Sequence, residues 1–329
     1  MGLSHFAIAN ALPDAGVVAI CDTSRYVLSM LRKHTGVQTY TDVGEMIREA
    51  GLDCLFVATP TSTHFECART ALEHDLHLFV EKPLTLSPAQ SEQLASLAAQ
   101  RKRINMVGFH NRFIATFREA RRLVRGGALG EITAVNGSAF GPVVLKERGS
   151  TWRSRKAEGG GCLHDYACHV VDLLNFLLGK PQRVLSGQMR SIYSRDVEDA
   201  VSAVIDYGHA KAQVETNWSD DTVRKMTTTV SVKGDRGELL VDRQELRIDL
   251  LSGPHGAYPP GRTTRHITDL QEPVPFYLRG EEYSAQVYSF FDAIRSGTLE
   301  HENSFASACD TDRVLDSIAR ASDATRSAS

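Results

Sequence analysis

The sequence predicts an α/β protein in two parts: a doubly wound parallel sheet over residues 1–109, then an α+β domain with a largely antiparallel open sheet over residues 110–329. Three observations carry this. Short apolar runs alternate with amphipathic stretches up to about residue 110. Beyond it, strand-like segments follow one another with only turn residues between. The 329 residues are also about the length of two ordinary domains.

The apolar runs lie at 17–21, 54–58, 76–80 and 104–108. Runs without polar alternation fit strands buried on both faces of a parallel sheet. Between them, residues 26–34, 43–50, 64–74 and 88–101 have helical periodicity, the last opened by Ser87 as N-cap and Pro88 at the first helical position. Residues 113–125 read as a helix ending at Gly126-Gly127, and 132–140 alternate as a strand. Segments 182–193, 201–207, 211–217, 226–233, 238–241 and 246–251 then follow closely, the texture of an antiparallel sheet. Residues 253–275 hold five of the eleven prolines and read as a long surface loop; 281–296 and 304–324 read as closing helices.

Composition narrows the function classes. Hydrophobic residues make up 42% and charged residues 23%, which excludes disordered and low-complexity chains. With 37 basic and 40 acidic side chains, the formal charge of -3 gives no general electrostatic reason to bind nucleic acid or an anionic membrane. Small-molecule ligands stay open. The six cysteines, at 21, 54, 67, 162, 168 and 309, show no disulfide framework spacing, so a reducing cytoplasm is expected. No run is long and apolar enough to span a bilayer, no signal peptide pattern opens the chain, and Phe6 breaks a myristoylation motif.

A dinucleotide fingerprint is a strand, then G-x-G-x-x-G opening a helix, then an acidic residue about 20 positions on. Asp22 ends the run 17–21, and counting back reaches Gly2. Gly2 would be the last glycine of the fingerprint and 3–12 the first helix. The first strand and leading glycines are absent from the sequence as written. By this arithmetic the reading frame extends roughly 10 to 20 residues upstream and Met1 is an internal methionine of the fingerprint. The competing reading makes Gly2 an ordinary start and Asp22 an ordinary strand end.

The triplet Glu81-Lys82-Pro83 follows an apolar run and precedes a capped helix. With Ala58-Thr59-Pro60 and His64, Val107-Gly108-Phe109 and Arg112-Phe113, Trp152-Arg153, and Gly159-Gly160-Gly161-Cys162-Leu163-His164-Asp165-Tyr166-Ala167-Cys168-His169 followed by Asp172, the sequence resembles the Gfo/Idh/MocA family of nicotinamide-dependent oxidoreductases along essentially its whole length. The resemblance implies a Rossmann-type first domain and NAD as cofactor, with NADP possible. It implies a sugar, inositol or nucleotide-sugar substrate, and a homodimer or homotetramer formed through the second-domain sheet. It puts Gly2, Asp22, Thr59, Pro60, His64, Glu81 and Lys82 at the cofactor, and Lys82, Arg112, Trp152, Arg153, Asp165 and His169 at the substrate. Lys82, Asp165 and His169 become the catalytic positions.

The chemistry agrees with this assignment. Oxidising an alcohol needs a base within about 3 Å of the hydroxyl. Lys82, at the carboxyl end of a parallel strand, points into the crevice where such folds hold ligands; the alternative is a lysine exposed on a loop. Asp165 and His169, four apart, would share one helix face; the alternative is a capping Asp and a core His. Cys162, His164, Cys168 and His169 are too close in sequence to wrap one tetrahedral ion, so no metal is expected. His64 is expected to cap or pack, and Asp22 favours NAD because a carboxylate repels a 2'-phosphate, an effect that nearby Arg25 partly offsets. Trp218, read as exposed, with Arg224-Lys225, could hold a sugar or phosphate, or serve a strand end or subunit contact. Keeping Lys82, Asp165 and His169 together favours an enzyme over the alternative, a sensor of the same fold without catalysis. Specificity is expected to lie in loops such as 141–154.

Overall fold

The computed structural model describes residues 1–147 and 151–328. The chain forms two compact units, Met1–Thr85 with Ala89–Gly108 and Val274–Ala306, and Leu86–Pro88 with Phe109–Pro273 and Ser307–Ser329.

The first unit alternates helix and strand: α1 (Gly2–Asn10), β1 (Ala19–Cys21), α2 (Arg25–Thr35), β2 (Gln38–Tyr40), α3 (Val43–Glu49), β3 (Cys54–Val57), α4 (His64–Glu73), β4 (His77–Val80), α5 (Pro88–Gln100) and β5 (Asn105–Val107). The helix starts are chemically marked. The side chains of Ser24 and Asp42 accept the backbone N–H groups of Val27 and Glu45, and Gly36 ends α2 in the left-handed conformation. All strand pairs are parallel, but in two pieces, β1-β2 and β3-β4-β5. These match 3-2 and 4-5-6 of the doubly wound order. Among the described residues no strand pairs with the other edge of β1 or β3.

The second unit holds α6 (Ala115–Arg125), β6 (Ile132–Phe140), α7 (Cys168–Leu178), β7 (Arg183–Arg190), β8 (Ala200–Asp206), β9 (Lys211–Asn217), β10 (Thr227–Gly234), β11 (Gly237–Val241), β12 (Glu245–Leu250), β13 (Gly261–His266) and α8 (Ile267–Leu270). Its eight strands run in the order β13-β12-β11-β10-β6-β9-β8-β7, antiparallel except for the β6-β9 pair. One face is apolar: Val135, Ala139, Val201, Val214, Val230 and Val232 are buried there. On the other face Gln213, Asn136, Ser231, Leu240 and Arg247 stand opposite one another across five strands. α7 is buried along its whole length, and its last carbonyls, of Phe176 and Leu177, accept from Arg125 on α6.

α9 (Glu281–Ser296) returns to the first unit. There Phe290 meets Phe56 and Phe79 edge-on, and the backbone of Asn303 accepts the N–H of Val107 beside β5. α10 (Phe305–Ala328) closes the chain, with Thr311 hydrogen-bonded to Asn175 of α7. Residues 274–306 count with the first unit, and the second resumes at Ser307.

Residues 253–275 are not one loop. β13 pairs with β12 over six residues, and α8 follows it. β13 is an edge strand of Arg, Thr and His, so its sequence lacks the apolar alternation that marks half-buried strands. β2 was equally silent, being three residues long and mostly polar.

Candidate active site

In the first unit the predicted cofactor-side residues gather at the carboxyl ends of the parallel strands. Asp22 follows β1, and one of its oxygens accepts the N–H of Ser24 at 2.7 Å. Thr59 and Pro60, after β3, are exposed, and the Thr59 hydroxyl accepts from Thr63. Gly2 opens α1 beside Ala58, and no side chain caps that helix start. His64 is buried at the start of α4. Its Nδ1 lies 3.0 Å from the carbonyl of Pro83 and its Nε2 3.0 Å from that of Thr59. Burial pushes its pKa down, against those carbonyls. A neutral ring donates from one nitrogen only, so His64 hydrogen-bonds one of these strand-end loops and packs against the carbonyl of the other.

Glu81 and Lys82 directly follow β4, and the Lys82–Pro83 bond is cis. Lys82 is half-buried. The Glu81 carboxylate is held by His5 of α1, whose Nε2 lies 2.7 Å from Oε1 and whose ring packs on Phe56 and Phe79. Gly108 permits this: a Cβ there would sit 3.0 to 3.3 Å from the carboxylate. Sequence reading missed His5, because its partner is 76 positions away.

The strand-end groups suit a dinucleotide. An uncapped helix start offers N–H groups to phosphate, and the Asp22 carboxylate offers acceptors to ribose hydroxyls. An open groove of about 810 Å³ runs along α2, β2 and α3, with Arg25, Arg32, Lys33 and Tyr40 in its wall.

In the second unit the glycine run leads into a helical segment whose first turn, Leu163–Ala167, is π-helical and continues as α7. Asp165 lies in the π turn and His169 in the α-helix, so the pair, still four positions apart, spans a turn wider than the regular α-turn expected for it, a device common at functional sites. Arg153 Nε lies 3.1 Å from Asp165 Oδ2, and its guanidinium covers the Trp152 ring at 4.6 Å. Trp152, Arg153 and Asp165 thus form one contiguous set. His169, 5% exposed, meets His110 edge-on, with ring centroids 5.0 Å apart. Residues 148–150 of the expected specificity loop lie outside the described residues.

Arg112 is buried. Its Nε and Nη2 bind Asp172 Oδ2 and Oδ1 at 2.8 and 2.5 Å, and the guanidinium lies between the rings of Phe109 and Phe176. Its charge is thereby committed to holding the turn 110–113 onto α7.

Trp218 corrects a reading made from sequence: it is fully buried, not exposed, and its Nε1 donates to Asp199. The Asp199 carboxylate also accepts the N–H groups of Ile192, Tyr193 and Ser194 and the Ser194 hydroxyl. Beside it, Glu198 Oε1 accepts the N–H of Leu163 at 2.8 Å, and the Glu198 carbonyl that of Cys162. Gly161 has φ +105°, and any Cβ on it would strike the Glu198 carboxylate. Glu198 therefore fixes the start of the segment that carries Asp165 and His169. The adjacent acidic pair 198–199 was the only sequence signal for this.

Among the described residues no group of three or more His, Cys, Asp or Glu is arranged to hold a metal ion, and no cysteine is in a disulfide. The Cys162 thiol, pushed far up by burial, contacts the Thr216 hydroxyl, and Cys168 donates to the His164 carbonyl. No described helix is long and apolar enough to cross a membrane.

Residues 1–109 match the family profile described as "Oxidoreductase family, NAD-binding Rossmann fold", and residues 117–240 that of the "GFO/IDH/MocA C-terminal domain". The scyllo-inositol 2-dehydrogenase (NAD(+)) of Bacillus subtilis (strain 168) is 27% identical over 184 residues, 56% of this chain and 52% of its own. The chain thus spans about half the length of such curated relatives. Two solved structures, an oxidoreductase domain protein from Kribbella flavida and levoglucosan dehydrogenase in complex with NADH and levoglucosan, each align at TM-score 0.86 and 23% identity over 99% of this chain and 95% of theirs. At that identity the likeness is one of fold.

Proposed function

The chain belongs to the GFO/IDH/MocA family of NAD-binding oxidoreductases, and from that premise we propose that it is an NAD(P)-dependent dehydrogenase acting on a CH–OH group of a sugar, inositol or nucleotide sugar. The observation that carries this reading is the Trp152, Arg153 and Asp165 set at the π turn, with His169 buried four positions on along the same segment: an aromatic face, a cation and a carboxylate in contact suit a polyhydroxylated ring. The family resemblance adds Lys82 as the third proton-handling group.

Bound NAD(P) supplies the hydride acceptor. Asp22 binds the ribose hydroxyls, the start of α1 at Gly2 receives the pyrophosphate, and Thr59, Pro60, His64 and Glu81 form the wall beside them. Lys82 of the first unit and His169 of the second are the two candidate acceptors of the hydroxyl proton. Asp165, paired with Arg153, lies four positions before His169 on the same segment and is a further candidate in the proton relay. Arg112 acts by locking the turn at 110–113 to the helix bearing His169. A carboxylate at position 22 favours NAD, while Arg25 nearby leaves NADP as the second choice.

The protein works as a homodimer or homotetramer through the polar face of its eight-stranded sheet, in a reducing cytoplasm that keeps its thiols reduced. The test is a panel of polyols, aldoses and nucleotide sugars with NAD and NADP, followed at 340 nm, alongside NADH fluorescence titration. Turnover with one class supports the proposal. NADH binding without turnover across the panel would favour a sensor.

A further inference from the structure

His110 was not singled out by any motif, yet its ring stands edge-on to that of His169, with centroids 5.0 Å apart and an interplanar angle of 73°. Both lie in the second unit: His110 opens the short turn 110–113, and His169 is the second residue of α7. The Arg112–Asp172 pair fixes the spacing, because Arg112 sits on the same turn as His110 and Asp172 one helical turn beyond His169. We propose that His110 is a positioning residue for His169: by excluding double protonation of the two rings, it keeps His169 neutral and able to accept the substrate's proton under mildly acidic conditions.

The reasoning is electrostatic. Two unit positive charges about 5 Å apart in a largely buried setting repel strongly enough to separate their protonation steps by roughly one to two pH units. Other titratable and charged groups surround His169 on its own segment and on the elements packed against it. On its own segment, Asp165 is paired with Arg153 and Asp172 with Arg112, and a third imidazole, His164, stands five positions before His169 in the π turn. The turn 110–113 contributes only His110 and Arg112. The strands packed on α7 turn Val135, Ala139, Val214, Thr216, Val230 and Val232 inward, all uncharged. The inward residues of α6 are Thr116, Phe117, Ala120 and Leu123; its cations are Arg118, which donates to the Arg112 carbonyl and covers the Phe113 ring, and Arg121, over the Phe176 ring. α10 reaches α7 through Thr311, flanked in sequence by Asp310 and Asp312.

The role of His110 rests on the proposed proton transfer at His169, but the ring coupling does not, and the experiment separates them. The imidazoles of the full-length protein are isotope-labelled, and His169 is titrated by NMR in the parent, in His110→Phe, which keeps a ring without a charge, and in His110→Gln. In parallel, the acid limb of kcat is recorded on the substrate found in the panel. The expected result is an upward shift of the His169 midpoint by roughly one pH unit in both variants, with the acid limb of kcat moving equally. A His169 midpoint within about 0.2 units of the parent in the variants would overturn the inference. If no substrate turns over, the NMR midpoint still decides the coupling, and only the functional reading falls. If His110→Phe does not fold, His110→Gln gives the answer.

Discussion

Breaking the Arg112–Asp172 pair should destabilise the second unit far more than replacing both partners. The side chains are 5% and 1% exposed, joined by two hydrogen bonds of 2.8 and 2.5 Å, with Ser307 and Thr311 as further neighbours. Arg112→Met leaves a buried carboxylate facing apolar carbon, and Asp172→Leu leaves a buried guanidinium facing apolar carbon. Removing one partner of such a pair costs about 3–5 kcal/mol. For a folding unit of this size that is a fall in Tm of roughly 6 to 20 °C. In Arg112→Met/Asp172→Leu both desolvation penalties disappear together, so the double variant should be more stable than either single one. The cycle is measured by urea unfolding and calorimetry. Single losses under about 1 kcal/mol, or a double variant no better than the sum of the singles, would show that the pair is incidental. Because the pair also sets the spacing of His110 from His169, kcat should fall in the single variants even where the protein is fully folded.

The remaining expectations concern the site and its acid stability. Lys82→Met should lower kcat by roughly 10² or more while NADH affinity stays within a few-fold; retention of over about a tenth of the rate would refute proton transfer at Lys82. His169→Ala should reduce kcat strongly and Asp165→Asn less; if neither does so on the true substrate, both residues are structural. Asp22→Ala should narrow the ratio of kcat/KM for NAD over NADP, and an unchanged ratio would remove this carboxylate from the ribose. Burial alone would raise the Asp199 pKa, but its hydrogen bonds from Ser194, Trp218 and Ile192 outweigh that and hold it below the usual value. Its stabilisation is therefore complete above about pH 4, the unfolded value, and is lost as pH falls through the lower folded value. Asp199→Asn should be less stable by about 1–3 kcal/mol at neutral pH, with the gap closing on acidification; a gap constant from pH 7 to 3 would contradict this.

Much of the fold was legible because burial writes itself into composition. β3, β4 and β5 are short and apolar, and helices such as α5 carry their own start signal. β2 and β13 were not legible: an edge strand needs only a partner ladder, and the ladder is not in its own residues. The site was legible where it is local, as with Lys82 after β4 or Asp165 and His169 on one segment. It was hidden where it depends on pairs distant in sequence. His5 with Glu81, Arg112 with Asp172, and Trp218 with Asp199 join residues 76, 60 and 19 positions apart. Trp218 shows the rule most plainly, since its polar neighbours in sequence predicted exposure while a carboxylate across the sheet draws the indole inside. The π turn, too, left no mark beyond the glycines before it.

The interrupted ladder of the first unit bears on how the protein opens. Hydrogen bonds run continuously from β3 to β5 and again from β1 to β2, but none cross from one piece to the other among the described strands. Sheets gain their cooperativity from unbroken ladders, so over residues 1–109 alone the lobe of β1, α2, β2 and α3 shares no ladder with β3, β4 and β5 across the seam beside β1 and is joined to them by side-chain packing. Asp22 rides on that lobe. A ligand that touched both Asp22 and the groups after β3 and β4 would tie the two pieces together, and its apparent affinity would be scaled by the fraction of molecules in which they are joined. Tightening the seam, by sequence change or by ligand, would raise affinity without altering a single contact to the ligand itself.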